Sequence, residues 1–320
     1  MDPLSDLLRV VRLDAAYFYT VEAAEPWSAE TVAATELTPR IMPAAEHLIS
    51  YHILIEGRCY GGVIGEEPVE LVAGDVIVFP HGDAHVMSSG RDVRRGGGQN
   101  AQTTAPARYP FTVFFGDQGP RVTSIVCGFL GCDRRPFNPL LAALPRQIHM
   151  RGMSSAWLGT FVRQVAEESR LGRAGAASVL TRLAEAMFIE VLRRYLEDLP
   201  REQSGWLAGL RDEVVGRVLT LLHGRPGHPW TLAELARETA ASRTNLAKRF
   251  AQLVGQPPMQ YLTQWRMQIA ANLLAQGGAK VATIGGEVGY DSEAAFSRAF
   301  KKATGLAPGA WRAGRHTARS

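Results

Sequence analysis

The alternation of apolar and polar positions changes along the chain. Between Tyr51 and Met87, short apolar runs alternate with turn residues, a pattern typical of short antiparallel strands in a small barrel or sandwich. After Pro136 the apolar residues recur at helical spacing, which predicts two amphipathic helices at about Ser155–Leu171 and Ala176–Glu197. A short amphipathic helix is predicted at residues 2–13. The first half of the chain is therefore predicted to be mainly β and the second half α.

The remaining parts of the first half are less regular. From Ala15 to Met42 the sequence contains short β-like pieces, AYFYTVEA and ETVAATELT. Residues 89–109 contain four Gly, four Arg and few apolar residues, which predicts a mobile loop over the barrel. Strands resume with FTVFFG and VTSIVCGFL.

The stretch from Trp230 to Trp311 contains one pattern twice at an offset of fifty residues. The equivalent pairs are Ser242 and Ser292, Leu246 and Phe296, Phe250 and Phe300, Gly255 and Gly305, Pro258 and Pro308, and Tyr261 and Trp311. Each copy consists of a short amphipathic helix, a turn and a second amphipathic helix, with a serine at the N-cap position of the second helix and a glycine after it. This is the helix-turn-helix pattern, which offers its second helix to a DNA major groove.

The segment between the copies, Met259–Gln276, has apolar residues at helical spacing. A helix of this length spans roughly 27 Å, and a rod of that size would hold two helices about one DNA turn apart, on the order of 34 Å. We therefore predict a linker helix between two DNA-reading helices.

The second helix of each copy carries polar side chains of the types that contact bases and phosphates. The candidates are Arg243, Thr244, Asn245, Lys248 and Arg249 in the first copy, and Glu293, Ser297, Arg298, Lys301 and Lys302 in the second. The alternative is a plain helical bundle whose charged faces are only solvated. Duplication of the pattern favours DNA binding.

Charge is divided unevenly along the 320 residues, whose net charge is +4. From Trp206 onward there are fifteen Lys and Arg against seven Asp and Glu, and the preceding residues are acidic overall. A basic C-terminal third is typical of a polyanion-binding module attached to another domain.

No apolar run approaches the ~18 residues of a membrane span, and the N-terminus has no pattern of an export signal, so a cytoplasmic location without membrane contact is expected.

The sequence GYDSEAAFSRAFKKATGLAP, a preceding linker helix with Trp265, and a first copy ending RFAQLVGQPPMQYL resemble the AraC/XylS family of bacterial transcription regulators. The resemblance covers about Leu210–Arg312 and implies that Ser242–Val254 and Ser292–Ala303 read double-stranded promoter DNA. It also implies RNA polymerase as a partner. Gly285 and Gly286 depart from the family pattern, and because each mid-helix glycine costs roughly 1 kcal/mol relative to alanine, the second copy is expected to be the looser reader.

Gly74, Pro80, Gly82 and His85 match the spacing of the second motif of the cupin barrel. Cupin domains precede the DNA-binding half in many regulators of this family, where they hold a small-molecule effector. Cupin enzymes bind a metal through a His-x-His pair, a Glu and a late His, and here only His85 falls on its motif position. His52, His81 and His85 could together hold a metal ion. The alternative is that they are histidines hydrogen-bonded at the barrel rim. No cofactor is expected.

Three cysteines add a second sensory possibility. Cys127 and Cys132 flank GFLG and are compatible with a disulfide across a tight turn, two ligands or two buried thiols. Arg134 and Arg135 follow them and would favour a thiolate, as a redox sensor requires. Cys59 has no such neighbours.

These patterns predict an α+β chain. The expected domains are a cupin-like, antiparallel β-barrel at residues 1–150, a helical dimerisation and linker region at 151–205, and an all-α domain at 206–320 with two helix-turn-helix units joined by a linker helix. The predicted function is sequence-specific transcription regulation under control of a small ligand or redox signal. Two alternatives stay open: a metal-dependent cupin enzyme fused to a DNA-binding module, and a constitutive DNA-binding protein whose barrel only dimerises. A homodimer is predicted through the helix Ala176–Glu197, because its apolar stripe, with Leu180, Leu183, Met187 and Leu192, is larger than one contact needs.

Overall fold

The computed structural model describes residues 2–11, 13–91, 111–116, 119–152, 156–171, 173–200 and 204–317. Its strands are β1 (Leu13–Ala24), β2 (Ser28–Thr31), β3 (His47–Glu56), β4 (Arg58–Val63), β5 (Val69–Val72), β6 (Val76–Phe79), β7 (His85–Ser88), β8 (Phe111–Phe115), β9 (Arg121–Cys132) and β10 (Ile148–Met150). Its helices are α1 (Pro3–Val11), α2 (Ala34–Ile41), α3 (Pro139–Ala143), α4 (Ala156–Leu171), α5 (Ala176–Asp198), α6 (Trp206–Arg211), α7 (Glu213–Gly224), α8 (Leu232–Glu238), α9 (Arg243–Val254), α10 (Pro258–Gln276), α11 (Val281–Glu287), α12 (Glu293–Thr304) and α13 (Pro308–Thr317).

The chain folds into two compact units. The sheet unit contains Leu13–Cys132 and Leu144–Tyr195, and the helical unit contains Met1–Arg12, Asp133–Ala143 and Leu196–Ser320.

Two sheets form the body of the sheet unit, one with the order β10-β6-β3-β9-β1-β8 and one with the order β2-β7-β4-β5. Their inner faces share one apolar core, to which Tyr19, Ile77 and Phe79 contribute from the first sheet and Leu71 and Met87 from the second. The predicted β-rich, barrel-like fold is therefore confirmed. Its pairing is not wholly antiparallel, because β8 runs parallel to β1.

The turn glycines occupy the places that the sequence indicates. Gly57, between β3 and β4, has φ +84°, and a Cβ atom there would lie 2.0 Å from the carbonyl oxygen of Val122. Only glycine fits this turn, because an added side chain would meet the backbone of β9.

Two short elements differ from the sequence expectation. The end of ETVAATELT forms helix α2 instead of a strand, since Ala34 and Leu37 are buried and α2 packs on β3. Strand β10 was not predicted, because its three residues are too few to show a periodic pattern. The loop predicted at residues 89–109 lies, beyond Arg91, outside the described residues.

Helices α4 and α5 begin and end close to the predicted positions and belong to the sheet unit. The stripe of α5 that was expected to form a dimer seam is largely covered within its own chain. Leu180, Met187 and Leu192 are each no more than 1% exposed. These three residues therefore cannot form the seam, whereas Leu183 is half-buried. An apolar stripe shows that a helix packs, but it does not show which surface it packs against.

The helical unit contains the duplicated pattern as two helix-turn-helix pairs, α8 with α9 and α11 with α12. In both pairs the reading helix starts at the predicted serine cap and ends at a left-handed glycine, Gly255 with φ +83° and Gly305 with φ +79°. Helix α10 joins the pairs as the predicted linker helix. The predicted all-α architecture is confirmed.

The predicted domain boundaries at 150 and 205 differ from the compact units. Helix α1 packs against α7 and α10, burying Leu7 and Val11, so the first residues of the chain belong to the helical unit. Residues Asp133–Ala143 also belong to it, since α3 packs against α6.

Within the part of the chain that the structure describes, no helix combines the length and the apolar character that crossing a bilayer demands.

Candidate nucleic-acid interface and barrel cavity

Helix α9 presents one polar face outward and one apolar face inward. The hydroxyl of Ser242 accepts a hydrogen bond from the N–H of Asn245 at 3.2 Å, which caps the helix. Leu246 and Phe250 are fully buried. The outward residues are those that the sequence predicted, and Arg243, Thr244, Asn245 and Lys248 are all exposed.

Arg249 differs from its neighbours on α9, because its guanidinium is already held inside the helical unit. Its Nε and Nη2 donate to Oδ2 of Asp212 at 2.8 and 2.6 Å. Asp212 is also the N-cap of α7, where its Oδ1 accepts from the N–H groups of Val214 and Val215. Arg249 thus braces α9 against the start of α7, a role that the sequence did not indicate.

Helix α12 repeats the arrangement in the second pair. The hydroxyl of Ser292 accepts from the N–H of Ala295 at 3.3 Å, and Phe296 and Phe300 are fully buried. Of the predicted contacts, Ser297 is half-buried, and the exposed ones are Glu293, Arg298, Lys301 and Lys302.

The first helix of the second pair contains Gly285, whose role follows from its packing. The N-caps of α8 and α11 are Thr231 and Lys280, so the first helices of the two pairs are related by 49 residues instead of fifty, and Gly285 is the equivalent of the buried Ala236. A Cβ atom on Gly285 would lie 3.1 Å from Cβ of Phe296. The glycine therefore allows α11 and α12 to pack closely, which the helix propensity alone does not show.

A buried polar cluster fixes the linker helix against α6 and α7. The indole N–H of Trp206 donates to the hydroxyl of Tyr261 at 2.8 Å, and that hydroxyl lies 2.7 Å from Nε2 of His223. The His223 ring stacks on Trp265 with ring centroids 4.0 Å apart. Burial lowers the pKa of His223 to about 3, so the ring is neutral and the Tyr261 hydroxyl is assigned as donor to it. The cluster therefore anchors α10 to α6 and α7.

The interior of the sheet unit contains a chain of hydrogen bonds between buried side chains. Nδ1 of His85 lies 2.8 Å from the carbonyl oxygen of Asp83, Nε2 of His85 lies 2.7 Å from Nε2 of His52, and Nδ1 of His52 lies 2.9 Å from Sγ of Cys127. A carbonyl oxygen only accepts, so we assign a proton to Nδ1 of His85. His52 then donates from Nε2, and the Cys127 thiol donates to its Nδ1.

The charges along this chain are all suppressed by burial. Burial lowers the pKa of His85 to about 4 and, together with the neighbouring His85, lowers the pKa of His52 well below its usual value. Burial also raises the pKa of the Cys127 thiol, although a hydrogen bond from Tyr19 opposes that shift. These groups are therefore neutral near pH 7 and satisfy one another.

His81 does not join the other two predicted histidines. It lies on the exposed surface of the sheet unit, where its Nε2 donates to the carbonyl oxygen of Leu144 at 2.9 Å. Among the described residues there is no group of three or more His, Cys, Asp or Glu side chains arranged to hold a metal ion. The three-imidazole cluster is therefore wrong. His52 and His85 are hydrogen-bonded, as the alternative predicted, but they lie in the interior of the sheet unit and not at the barrel rim.

Cys127 and Cys132 are held apart by the strand that contains them both. They pair with His52 and His47 in a regular register along β9, so they face opposite sides of the sheet. Five residues of strand separate their Cα atoms by ~16 Å, whereas a disulfide requires less than about 7 Å. The expected tight turn does not form, and the disulfide interpretation is wrong for the same reason. Neither cysteine forms a disulfide, and both side chains are buried.

A cavity next to His52 and Cys127 is lined mainly by residues that the sequence did not single out. The other lining residues are Tyr19, Val21, Trp27, Ala29, Thr31, Met87, Phe115 and Ile125. Alternation in β1 indicates that Tyr19 and Val21 face the same side. It could not show that this side borders a cavity.

These two units define a class of protein, a regulator with a sensory barrel and a helix-turn-helix DNA-binding domain. Residues 2–197 match a family model described as a cupin, and residues 235–314 match a model described as a helix-turn-helix domain. The chain is 34% identical over 318 residues to a putative AraC-like transcription regulator from Streptomyces antibioticus, covering 98% of each chain. It is 33% identical over 325 residues to a similarly named protein from Streptomyces lividans, again covering 98% of each. It is 28% identical over 306 residues to the transcriptional regulator AlkR from Acinetobacter baylyi, covering 94% of this chain and 96% of AlkR. The chain belongs to the family of AraC-like transcription regulators.

Proposed function

We propose that this chain controls transcription by placing α9 and α12 in successive major-groove segments of a promoter. The observation that carries the proposal is the pair of capped helices with exposed, cationic outer faces. No other described residue forms an ion pair with Arg243, Lys248, Arg298, Lys301 or Lys302, so their charges are available to phosphates. Unpaired cations on the outer faces of both duplicated helices support DNA binding over a merely solvated bundle.

The position of each side chain along its helix suggests its role. Arg243, Thr244 and Asn245 lie in the first turn of α9, the part of a recognition helix that contacts base edges. Glu293 is the equivalent in α12, where a carboxylate accepts from cytosine N4. Lys248 and the cations of α12 contact phosphates, together with the hydroxyl of Ser297. Arg249 serves mainly to brace α9 through Asp212.

The full-length chain is the appropriate material for the test, because α1 and residues Asp133–Ala143 belong to the helical unit. Duplexes selected from a randomised pool would be titrated at several salt concentrations with Lys248→Ala and Arg298→Ala. Each variant should reduce the slope of log affinity against log salt by about 1. Arg217→Ala, an exposed cation on α7 of the same unit, is the matched control and should leave the slope unchanged. Slopes equal to that of the parent for both reading-helix variants would overturn the assignment.

The sheet unit is proposed to be the sensor, with a small molecule as the first choice of signal and oxidation as the second. The small-molecule route is supported by a buried cavity bordered by few polar groups. The oxidation route is weakened, because burial opposes the thiolate form of Cys127. A signal has to favour one conformation of the barrel, since a ligand with no differential affinity shifts no equilibrium.

The remaining parts of the proposal follow from the class of the relatives. They are action in the cytoplasm, contact with RNA polymerase and the absence of catalysis. A homodimer stays a prediction with no seam assigned to it. Titration of the purified protein with RNA polymerase on a promoter fragment tests the contact, and an unchanged polymerase affinity in the presence of the regulator would exclude it.

A further inference from the structure

The cavity in the sheet unit is small and almost wholly apolar. Three of its lining residues, Tyr19, Trp27 and Phe115, are aromatic. The rings of Trp27 and Phe115 have centroids 6.4 Å apart. The space open to the centre of a water-sized sphere is about 10 Å³, roughly the amount needed to hold one buried water.

One residue that lines the cavity carries a buried hydrogen-bond donor that has no acceptor. The indole Nε1 of Trp27 is buried without a hydrogen-bond partner, and the residue is 3% exposed. An unpaired buried donor is unfavourable, because it has lost its hydrogen bonds to water without gaining others. The wall therefore lacks a hydrogen-bond acceptor next to Trp27.

A single water is a poor occupant for this position. Stable buried waters make about three hydrogen bonds. Apart from Trp27 and Thr31, the polar residues of the wall are Tyr19, Cys127 and His52, and these are already engaged with one another and with His85. A molecule that contacts the aromatic rings and offers one acceptor to Trp27 would pair the donor and also fill the apolar part of the cavity.

The charge of the wall excludes anions. No Asp, Glu, Lys or Arg lines the cavity, and His52 stays neutral because burial lowers its pKa. A carboxylate would lose its hydration here without meeting a cation, which is strongly unfavourable. An uncharged acceptor such as a ketone or ether avoids this cost.

We propose that the barrel cavity binds a small, uncharged aromatic molecule carrying one hydrogen-bond acceptor, which receives the N–H of Trp27. The proposal rests on the sensory role proposed for the sheet unit and names the chemical class of its effector.

Binding requires the wall to move, and Met87 is the residue suited to do so. Its thioether lies over Gly61, where an added Cβ would be 2.6 Å from its Sδ. A flexible, unbranched side chain repacks more easily than the rings around it. Entry of one aromatic ring is therefore expected to displace Met87.

The test uses three probes of similar size: acetophenone, with one acceptor; ethylbenzene, with none; and benzoate, with a charge. Each would be titrated into the full chain by calorimetry, with thermal unfolding as a second readout. Acetophenone should bind roughly five-fold more tightly than ethylbenzene, since a hydrogen bond to a buried donor is worth about 1 kcal/mol. Benzoate should bind at least tenfold more weakly than acetophenone.

Two variants identify the site. Trp27→Phe removes the donor and keeps the ring, so it should make the affinities for acetophenone and ethylbenzene equal. Ala29→Val narrows the cavity and should weaken the binding of both acetophenone and ethylbenzene. This variant provides a second test of the site if Trp27→Phe does not fold. Benzoate binding as tightly as acetophenone, an acetophenone preference that survives in Trp27→Phe, or no binding of any probe would each overturn the proposal. The same preparations would also be titrated with DNA. Retained DNA binding without probe binding would contradict only the proposed effector, whereas loss of DNA binding would contradict the proposed regulatory function.

Discussion

The backbone N–H of Phe137 donates a hydrogen bond to Oε1 of Gln268 at 2.9 Å. Gln268 lies on the linker helix α10 and is 1% exposed, and the ring of Phe137 meets Tyr261 edge to face at 5.4 Å. Phe137 lies five residues after the end of β9, yet it is part of the helical unit. The strand that carries Cys127 thus continues into a segment that holds the helix between the two reading pairs.

This relationship predicts the effect of removing the Gln268 side chain. Gln268→Ala leaves the part-buried N–H of Phe137 without its partner, so the free energy of unfolding should fall by about 1 kcal/mol. Gln276→Ala, an exposed glutamine on the same helix, is the control and should change stability by less than about 0.5 kcal/mol. Chemical denaturation followed by circular dichroism would measure both. Equal stabilities would contradict a structural role for this bond.

The sequence predicted those features of the fold that local patterns determine. The serine caps of α9 and α12 and the glycines after them mark both reading helices, because capping and left-handed geometry depend on the residue itself. The exposed face of α9 follows from the spacing of Leu246 and Phe250.

Features that depend on distant partners could not be predicted in this way. An amphipathic pattern shows that α1 and α5 pack, but it does not show that α1 packs on α7 and α10 or that the α5 stripe is buried in its own chain. The interaction of Arg249 with Asp212 spans 37 residues, and no periodicity connects them. In the sheet unit, the motif spacing pointed to His85, whereas the pairing of β3 with β9 placed His52 beside Cys127, and the packing of the two sheets placed His52, and not His81, beside His85.

Arg249 and its neighbour Lys248 are expected to respond differently to truncation. Arg249→Ala removes the contact with Asp212 and should lower the free energy of unfolding by up to ~1 kcal/mol, the upper range for an exposed ion pair. Lys248→Ala has no such partner to lose and should leave stability unchanged while weakening DNA binding. Thermal unfolding and DNA titration of both variants would test the difference. A stability loss for Lys248→Ala as large as for Arg249→Ala would contradict it.

Acidification should destabilise the helical unit through His223. The folded state holds the pKa of His223 at about 3, whereas an unfolded histidine has a pKa of about 6.5. Between these values the unfolded chain binds a proton that the folded chain does not, so stability is complete above about pH 6.5 and falls toward pH 3. His223→Gln should flatten this dependence, and His228→Gln, a half-buried histidine near α8, should retain it. Denaturation midpoints measured across this range would show whether the slopes differ.

The two adjacent glycines of α11 should respond oppositely to alanine. Gly286 is exposed and a Cβ there would have no atom within 4 Å, so Gly286→Ala should stabilise the helix by up to ~1 kcal/mol through its higher helix propensity. Gly285→Ala gains the same propensity but presses against Phe296, and it should be neutral or destabilising. Denaturant unfolding of the two variants compares the gain in helix propensity with the cost of packing against Phe296. Equal stabilisation by both variants would mean that Phe296 can shift to accommodate the added methyl group without loss of stability.

The geometry of β9 makes a final prediction about oxidation. Cys127 and Cys132 point to opposite faces of one strand with their Cα atoms ~16 Å apart, so diamide treatment of the folded protein should produce no bond between them. Cys127 should also react slowly with thiol reagents, because burial raises its pKa and keeps it a thiol. Mass spectrometry of peptides from the oxidised protein tests the first point, and the rate of alkylation of a Cys59→Ala, Cys132→Ala variant tests the second. A 127–132 disulfide formed under native conditions would require β9 to open locally, and it would again make thiol oxidation a candidate signal for the sheet unit. If no such disulfide forms and Cys127 is protected until the protein unfolds, Cys127 is a neutral hydrogen-bonding residue of the cavity wall.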